Sequence, residues 1–357
     1  MKHQIYFTPG PSQIYYTVPD HLKSAVKEDV MCISHRGAAF QKIFGQTRSS
    51  LKTLLNVPDG YDIYFTSSAN EIWERIIQNL VIESSHHFIN GSFAKKFYQF
   101  AQSYQKSSTH TTVADGQDFE DLSIPEGTEL ISVTLNETSI GFGFDQNKLK
   151  QLREAHPDKL IALDGVSAFP AVGLDLNLVD TAYFSVQKCF GLPAGLGVWV
   201  VNERCFQKYE EVKKAGVVTG SYHDLSDLKS NGDKNQTPET PNILGIYLLG
   251  KVCEDMLFRG AKMIQNDTIY KATILYQALE RSPKFNPFID QKTTRSKTVI
   301  VANCEGGNAA ILKALAAKGF VIGKGYGSYK DSHIRIANFP VHSKEQVELI
   351  CDLIDSF

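Results

Sequence analysis

The chain has 357 residues, of which 42% are hydrophobic and 21% charged, and its net charge is −2. That length allows a large core and two domains, or one α/β domain with a smaller companion. The near-neutral balance argues against a polyanion-binding surface, so nucleic acid is not an expected partner, and no stretch approaches the length of a membrane span. The opening "MKHQIYFTPGPS" lacks the apolar core of a signal peptide. The six cysteines, Cys32, Cys189, Cys205, Cys253, Cys304 and Cys351, are scattered and form no Cys-x-x-Cys pair. Both features fit a reduced, cytoplasmic enzyme better than a disulfide scaffold or a zinc site.

In chain order, short runs rich in β-branched and aromatic residues predict strands at "YDIYFTSS" (61–68), "SHHFING" (85–91), "ELISVTLNET" (129–138), "KLIALDGV" (159–166), "TAYFSVQ" (181–187) and "GVWVVN" (197–202). Helical patterns fall between several of them, at 70–82, 94–104 and 145–156. Strands alternating with helices predict βαβ units, a mostly parallel sheet flanked by helices, and an α/β fold. Right-handed crossovers then line up the strands' carboxyl ends along one edge, where ligands bind in such sheets. Residues 224–242 are polar and rich in turn formers, and read as a long surface segment, flexible or functional. After them "ILGIYLLGKVCEDMLFRG" is strongly helical. From about Lys271 the order helix, strand, helix, strand, helix predicts a small α+β domain.

Two glycine motifs fail their templates. Only three residues separate Gly319 from Gly323, and Gly325 stands where a phosphate loop needs a hydroxyl residue after Lys324; "GFGFDQ" has no third glycine. His86 and His87, adjacent on a strand, point to opposite faces and cannot share a metal. No metal site is expected.

The chemistry concentrates at predicted strand ends. "ALDGVSAFP" puts Asp164 at the end of an apolar run, where an Asp-Gly pair is most simply a turn. Lys188 ends "TAYFSVQ", 24 positions later. A solvated lysine has a poor home between "SVQ" and "CFGLPAGLGVWVV", and a lysine held against apolar walls has a depressed pKa and becomes nucleophilic. In "IYFTSSANEIWERI" a strand, a small-residue turn and a helix start follow one another. The backbone N–H groups of Ser68, Ala69 and Asn70, with the hydroxyls of Ser67 and Ser68, could cup a phosphate, or form an ordinary N-cap. One ligand unites a phosphate cup, a carboxylate for a ring nitrogen and an amine for an aldehyde: pyridoxal phosphate.

On these residues the sequence resembles the class V, fold type I, pyridoxal-phosphate aminotransferases, over nearly the whole chain, and most resembles their phosphoserine branch. "FTPGPS", "SHRGAAF", "NGSF", "NET", "SVQKCFGLPAGLG", "NQTPETPN" and "IRIANFP" follow in family order. The Gln-Lys before a glycine-rich loop, with Asp-Gly on the preceding strand, is the specific pair. The resemblance implies a large cofactor-binding domain over 15–255, and a small domain built from 1–14 and 256–357. It implies a transamination from L-glutamate to 3-phosphohydroxypyruvate by a ping-pong route, in a homodimer with shared sites.

It also implies roles. Lys188 would bond the cofactor's aldehyde carbon and move the substrate proton, and Asp164 would pair with the ring nitrogen. Phe93 would stack on the ring, Thr138 would meet its 3′-oxygen, and Ser68, Ala69, Asn70 and Gln187 would hold the phosphate. Gln236 and Thr237 would reach the neighbouring subunit's cofactor phosphate. Arg335 would clamp the substrate α-carboxylate, and His35 and Arg36 would meet its distal anion. Bland alternatives are a surface ion pair for Arg335 and a solvated turn for His35–Arg36.

The sequence departs from the phosphoserine pattern in one informative place. The family's cup segment "GGGR" carries a cation, whereas "SSANE" here carries none. "GYGSYKDSHIRIANFP" is closer in rhythm to the alanine–glyoxylate (serine–pyruvate) branch, which is the alternative reading. Lys324 or Lys330 could restore the charge. A cysteine desulfurase needs a mobile cysteine, which Cys304 and Cys351 do not offer; a non-catalytic member fits poorly with Lys188, Asp164 and Arg335 all present.

Overall fold

The computed structural model describes residues 4–357. Among these residues two sheets organise the chain. The larger has seven strands in the spatial order Tyr61–Thr66, Gly197–Asn202, Thr181–Ser185, Leu160–Asp164, Leu130–Thr134, Ser85–Ile89 and Thr109–Thr112. All neighbours run parallel except Gly197–Asn202, which is antiparallel to both of its partners. Ser85–Ile89, Leu130–Thr134, Leu160–Asp164 and Thr181–Ser185 are buried at every position. That is the signature of strands covered on both faces, and it explains why their sequences read as continuous runs rather than alternations.

The two faces are packed by different residues of the same strands, as the two-residue side-chain period requires. Ile63, Phe65, Ile131, Val133, Ile161, Leu163, Phe184 and Val200 meet helices Ala38–Leu55, Gln146–Ala155 and Ile243–Arg259 on one face. Tyr64, Leu130, Leu160, Tyr183, Trp199 and Val201 meet helices Ala69–Leu80, Ser92–Ser103 and Glu203–Lys214 on the other. Each fully buried large apolar side chain contributes about 1.5–3 kcal/mol, so these layers dominate the stability.

The second sheet has the order Ile5–Phe7, Phe320–Lys324, His333–Ala337, Val299–Cys304 and Phe285–Pro287. The N-terminal strand pairs in parallel with Phe320–Lys324, Ile5 opposite Phe320, so the first residues belong with the C-terminal sheet. Helices Ala261–Arg281, Ala309–Ala317 and Lys344–Asp355 share its apolar core. The division expected at residue 255 falls inside helix Ile243–Arg259; the helical run breaks at Gly260, whose φ is +92°. Residues 1–3 of the expected segment 1–14 lie outside the described residues.

Two local expectations differ from the structure. The polar segment 224–242 contains a helix, Leu225–Gly232, capped by the Asp224 side chain on the Asp227 N–H and anchored by buried Leu225 and Leu228. The strand that carries the lysine stops at Ser185, its last register partner being Gly197. Lys188 therefore sits in the turn beyond the strand, not at its end.

That turn is stitched from outside. The Ser12 N–H donates to the Gln187 carbonyl at 3.2 Å and the Tyr15 N–H to the Gly191 carbonyl at 2.7 Å, while the Gly191 N–H donates to the Lys188 carbonyl at 2.9 Å. Gly191 has φ +61°, and a Cβ there would lie 2.7 Å from the Tyr15 nitrogen. Both the left-handed conformation and the close approach require glycine. Gly191→Ala is expected to cost about 1–3 kcal/mol. It should lower the urea midpoint without changing the slope of the transition.

Candidate active site

A cavity of about 210 Å³ opens where the carboxyl ends of the large sheet's strands meet the second sheet. Its walls include Pro9, Gly10, Ala69, Asn70, Phe93, Thr138, Asp164, Gln187, Lys188 and Arg335. The predicted residues that converge here come from distant parts of the chain, because adjacent strands end side by side: Thr134 is opposite Asp164, and Asp164 opposite Tyr183. A larger cavity of about 400 Å³ shares Asn136 with it but contains neither Lys188 nor Asp164, so the smaller one is the candidate site.

Lys188 is 7% exposed. Its Nζ donates to Thr138 Oγ1 at 2.9 Å and stands 5.1 Å from the Phe93 ring centroid. Burial pushes its pKa down to about 8, against the opposing pull of Asp164. Asp164 is buried too, and burial pushes its pKa up to about 6, although the Val166 N–H, donating at 2.9 Å, works the other way. A lysine amine and a carboxylate thus face one cavity, both displaced toward their neutral forms. Gly10 leaves room for the lysine stem: a Cβ there would sit 3.0 Å from Lys188 Cε.

The run Asn136–Glu137–Thr138 does three separate jobs. The Asn136 amide donates to Ser167 Oγ at 2.6 Å, and the Thr138 hydroxyl donates to the same oxygen at 2.8 Å while accepting from Lys188. Buried Glu137 accepts the N–H groups of Phe93 and Ala94, each at 3.0 Å, and so caps helix Ser92–Ser103 and sets Phe93 in place. Arg335 enters from the second sheet; its Nε donates to the Lys324 carbonyl at 2.8 Å and its Nη1 lies 3.5 Å from the Thr138 carbonyl. Burial lowers its pKa.

The helix Ala69–Leu80 begins at the cavity. Ala69 and Asn70 line it; Ser68 is the N-cap, accepting the Glu71 N–H at 3.3 Å, and is not among the lining residues. Gln187 lines the cavity, and its buried Oε1 meets no protein donor. An amine for an aldehyde, a carboxylate for a ring nitrogen, an aromatic face, a helix N-terminus and a glutamine whose amide oxygen meets no protein donor form a set of groups that fits pyridoxal phosphate.

His35, Arg36, Gln236 and Thr237 do not reach the cavity of their own chain. They gather elsewhere: Arg36 donates to Asn231 Oδ1, Gln236 Oε1 and the carbonyls of Thr237 and Pro238, at 2.8–3.0 Å. Behind this arm, His223 bridges Glu71 and Glu239, the latter at 2.7 Å, and Glu71 also accepts the Ser67 N–H and hydroxyl. Burial alone would lower the His223 pKa, but its bonds to Glu239 and Glu71 overcome that and raise it to about 9.

Sequence reasoning missed Trp73, Ser185 and Tyr326. Trp73 lines the cavity and donates to the Tyr183 hydroxyl at 2.8 Å; Ser185 accepts the Ala69 N–H at 2.8 Å. Neither carries a local signal: the tryptophan reads as a core position of an amphipathic helix and the serine as an ordinary strand residue. Tyr326 lines the cavity from the glycine-rich stretch before the arginine strand, where a lone tyrosine among turn formers carries no local signal.

The Aminotransferase class-V family matches residues 6–335, and the chain belongs to it. A phosphoserine aminotransferase from Cytophaga hutchinsonii, known from its crystal structure, is 42% identical and covers 100% of this chain and 99% of its own, with a TM-score of 0.98. A phosphoserine aminotransferase of Nocardioides sp. is 27% identical over 355 residues, 98% of this chain and 94% of that one. At 19% identity an alanine–glyoxylate aminotransferase from Nostoc sp. shares the fold, with a TM-score of 0.83 over 100% of this chain and 95% of that one. The architecture is that of the fold type I transferases, as expected, and membership implies pyridoxal phosphate as the cofactor.

Two pH effects follow. Only the neutral amine of Lys188 attacks an aldehyde, so the rate at which the apo-protein captures pyridoxal phosphate, read from its visible absorbance, should rise with pH through about 8. Asp164→Asn removes the anion that holds this value up and should move the midpoint lower. His223 gains its proton partners on folding, so its contribution to stability is complete below its unfolded value of about 6.5 and is lost as pH rises through about 9. Urea unfolding across that window should show falling stability in the native protein and a flatter profile in His223→Gln.

Proposed function

We propose that this chain is a phosphoserine transaminase, which uses pyridoxal phosphate to exchange an amino group between L-glutamate and 3-phosphohydroxypyruvate, yielding 2-oxoglutarate and O-phospho-L-serine. The observation that carries the reading is the buried Lys188 amine, held by Thr138 in one cavity with Asp164 and Arg335. The 42% identity to a phosphoserine aminotransferase across 100% of the chain supports the choice of substrate.

When bound, pyridoxal phosphate supplies an electron sink for the charge left when the substrate's Cα loses its proton. The chain's residues do the rest. Lys188, whose depressed pKa keeps a useful fraction of neutral amine, would take the proton from the substrate's Cα and deliver it to the cofactor's C4′, and would carry it the other way in the second half-reaction. Asp164 would hold the proton on the ring nitrogen, Phe93 would offer its face to the ring, and Thr138 would bond the ring oxygen. Ala69, Asn70 and Gln187, with Ser68 as cap, hold the phosphate at the helix N-terminus. Arg335 grips the substrate α-carboxylate in a two-bond fork that suits a guanidinium better than an ammonium.

The arm held by Arg36 fits a homodimer in which His35, Arg36, Gln236 and Thr237 complete the site of the second subunit, from a large cofactor-binding unit and a smaller unit built on the second sheet. In that arrangement Arg36 stiffens the arm as much as it meets ligand. A cytoplasmic location suits the free cysteines. An alanine/serine–glyoxylate or –pyruvate transaminase is the second reading, and the absence of an arginine from residues 67–71 favours it.

Half-reactions separate the two. Holoprotein is mixed in turn with L-phosphoserine, L-glutamate, L-alanine and L-serine while the visible absorbance is followed. Bleaching by phosphoserine and glutamate, but not by alanine, is expected; bleaching by alanine or serine without phosphoserine would select the second reading. Lys188→Ala should fold and lose turnover by several orders of magnitude.

A further inference from the structure

We propose that His223 is a positioning residue for the cofactor's phosphate seat: it holds the Glu71 carboxylate away from the N-terminus of helix Ala69–Leu80 and so keeps that helix end open to a phosphate. The inference rests on the pyridoxal-phosphate reading above and names a residue on which the seat depends.

Local sequence sets the problem. Ser68 is the N-cap, so Glu71 occupies the third helical position. A glutamate there ordinarily folds back onto the N-cap N–H in a capping box, and the positive end of the helix dipole attracts its charge. Helix Lys344–Asp355 of this chain shows the closed form: Gln346, at the same position, accepts the Ser343 N–H at 3.0 Å. At Ser68 the box is only half made. The Ser68 hydroxyl accepts the Glu71 N–H at 3.3 Å, but the Glu71 carboxylate accepts the N–H and hydroxyl of Ser67 instead, at 2.8 and 2.5 Å. The positions between cap and glutamate, Ala69 and Asn70, line the cavity. A carboxylate settled over them would take the helix end for itself and repel a phosphate.

His223 draws Glu71 aside. Its Nδ1 bonds the Glu71 oxygen that Ser67 leaves free, and its Nε2 lies 2.7 Å from Glu239. Ionised carboxylates only accept, so both ring nitrogens donate and the ring is a cation; its pKa of about 9 agrees. Burial would raise the Glu71 pKa, but the bonds from His223 and Ser67 lower it, so the carboxylate keeps its charge. The imidazole is 1% exposed and stacks on the Tyr222 ring, with centroids 4.0 Å apart. Its backbone is left-handed, with φ +52°. A non-glycine residue persists in that region only where its surroundings hold it. Glu239, whose carbonyl accepts the Thr237 hydroxyl at 2.8 Å, fixes the far side of the ring. These bonds all lie within one chain and require no second subunit.

The competing explanation is an ion-pair bridge that only braces the turn around His223 against the segment of Glu239. The two accounts differ in what removing Glu71's charge does once His223 is gone. A brace is not repaired by altering a second member. A seat threatened by a loose anion is repaired when that anion is neutralised.

The test measures binding rather than turnover. Pyridoxal has the ring and aldehyde of pyridoxal phosphate without the phosphate, so the ratio of their affinities for the apo-protein, read by absorbance titration, reports on the phosphate seat. It is measured in the native protein, His223→Gln, Glu71→Gln, the double variant and Glu239→Gln; thermal melts and light scattering check fold and assembly. The proposal expects the native protein to favour pyridoxal phosphate and His223→Gln to cut the ratio tenfold or more. The double variant should recover most of it, Glu71→Gln alone should keep or raise it, and Glu239→Gln, which spares the bond to Glu71, should cut it less than His223→Gln. An unchanged ratio in His223→Gln overturns the proposal. A loss that the added Glu71→Gln does not recover overturns it in favour of the brace. Should His223→Gln fail to fold, Glu71→Gln still decides: a ratio below native means that the carboxylate supports the seat, and the proposal falls. A native protein with no preference for pyridoxal phosphate brings down the phosphate seat itself, and this inference with it.

Discussion

An ammonium group cannot be placed in a dry turn without consequence, and much of this structure follows from having done so at Lys188. Burial disfavours the charged form, and an unpartnered buried charge would unfold the turn or be hydrated by opening it. The fold offers a hydroxyl acceptor in Thr138, a carboxylate on the next strand in Asp164, and a turn too tightly tied to open. The amine's pKa falls to about 8 rather than the side chain escaping to water, which keeps a fraction of the neutral form that a nucleophile and proton carrier needs. Asp164 is displaced toward its neutral form by the same burial, and a cationic ring nitrogen in the cavity would restore its charge. The carboxylate is therefore prepared for a partner the protein does not itself provide.

The ties around that turn explain why the chain's beginning is joined to its end. Residues 12–15 bind the lysine turn, while Ile5–Phe7 completes the sheet that carries Arg335. The short N-terminal segment thus spans the cavity between the two sheets, with Pro9, Gly10 and Pro11 as part of the wall. Lys188 and Arg335 are held in register by backbone hydrogen bonds, which tolerate side-chain substitution better than a salt bridge does. Asn136–Glu137–Thr138 adds a second coupling, since adjacent residues of one short run hold the lysine and cap the helix of Phe93.

The legible part of the site was the part with local chemistry. Asp164 after an apolar run, Lys188 before glycines, and Ser68–Ala69–Asn70 before a helix are all patterns in which the residue type contradicts its neighbourhood. Glu137 and Ser185 do not contradict theirs; a glutamate after a strand and a serine in one are ordinary, and only the approach of Phe93 N–H and Ala69 N–H makes them essential. The helix Leu225–Gly232 was hidden for a related reason. Its sequence is polar, and what makes it a helix is the burial of two leucines against a distant core. Arg36 was legible as a functional arginine, yet its four acceptors lie some 200 residues away in the chain.

The sequence by itself determined the alternation of buried strands and amphipathic helices, the class of cofactor and the candidate for its lysine, because each rests on periodicity or on a residue out of place among its immediate neighbours. Tertiary structure decided where the strand before that lysine ends, which sheet owns the first residues, and which cations face the cavity. Those outcomes depend on pairing register and on contacts between residues far apart in the chain, where no local pattern records the partner. The missing arginine illustrates the difference. Its absence is plain in "SSANE", but that Lys188 and Arg335 are the cations lining the cavity is decided by the meeting of two sheets.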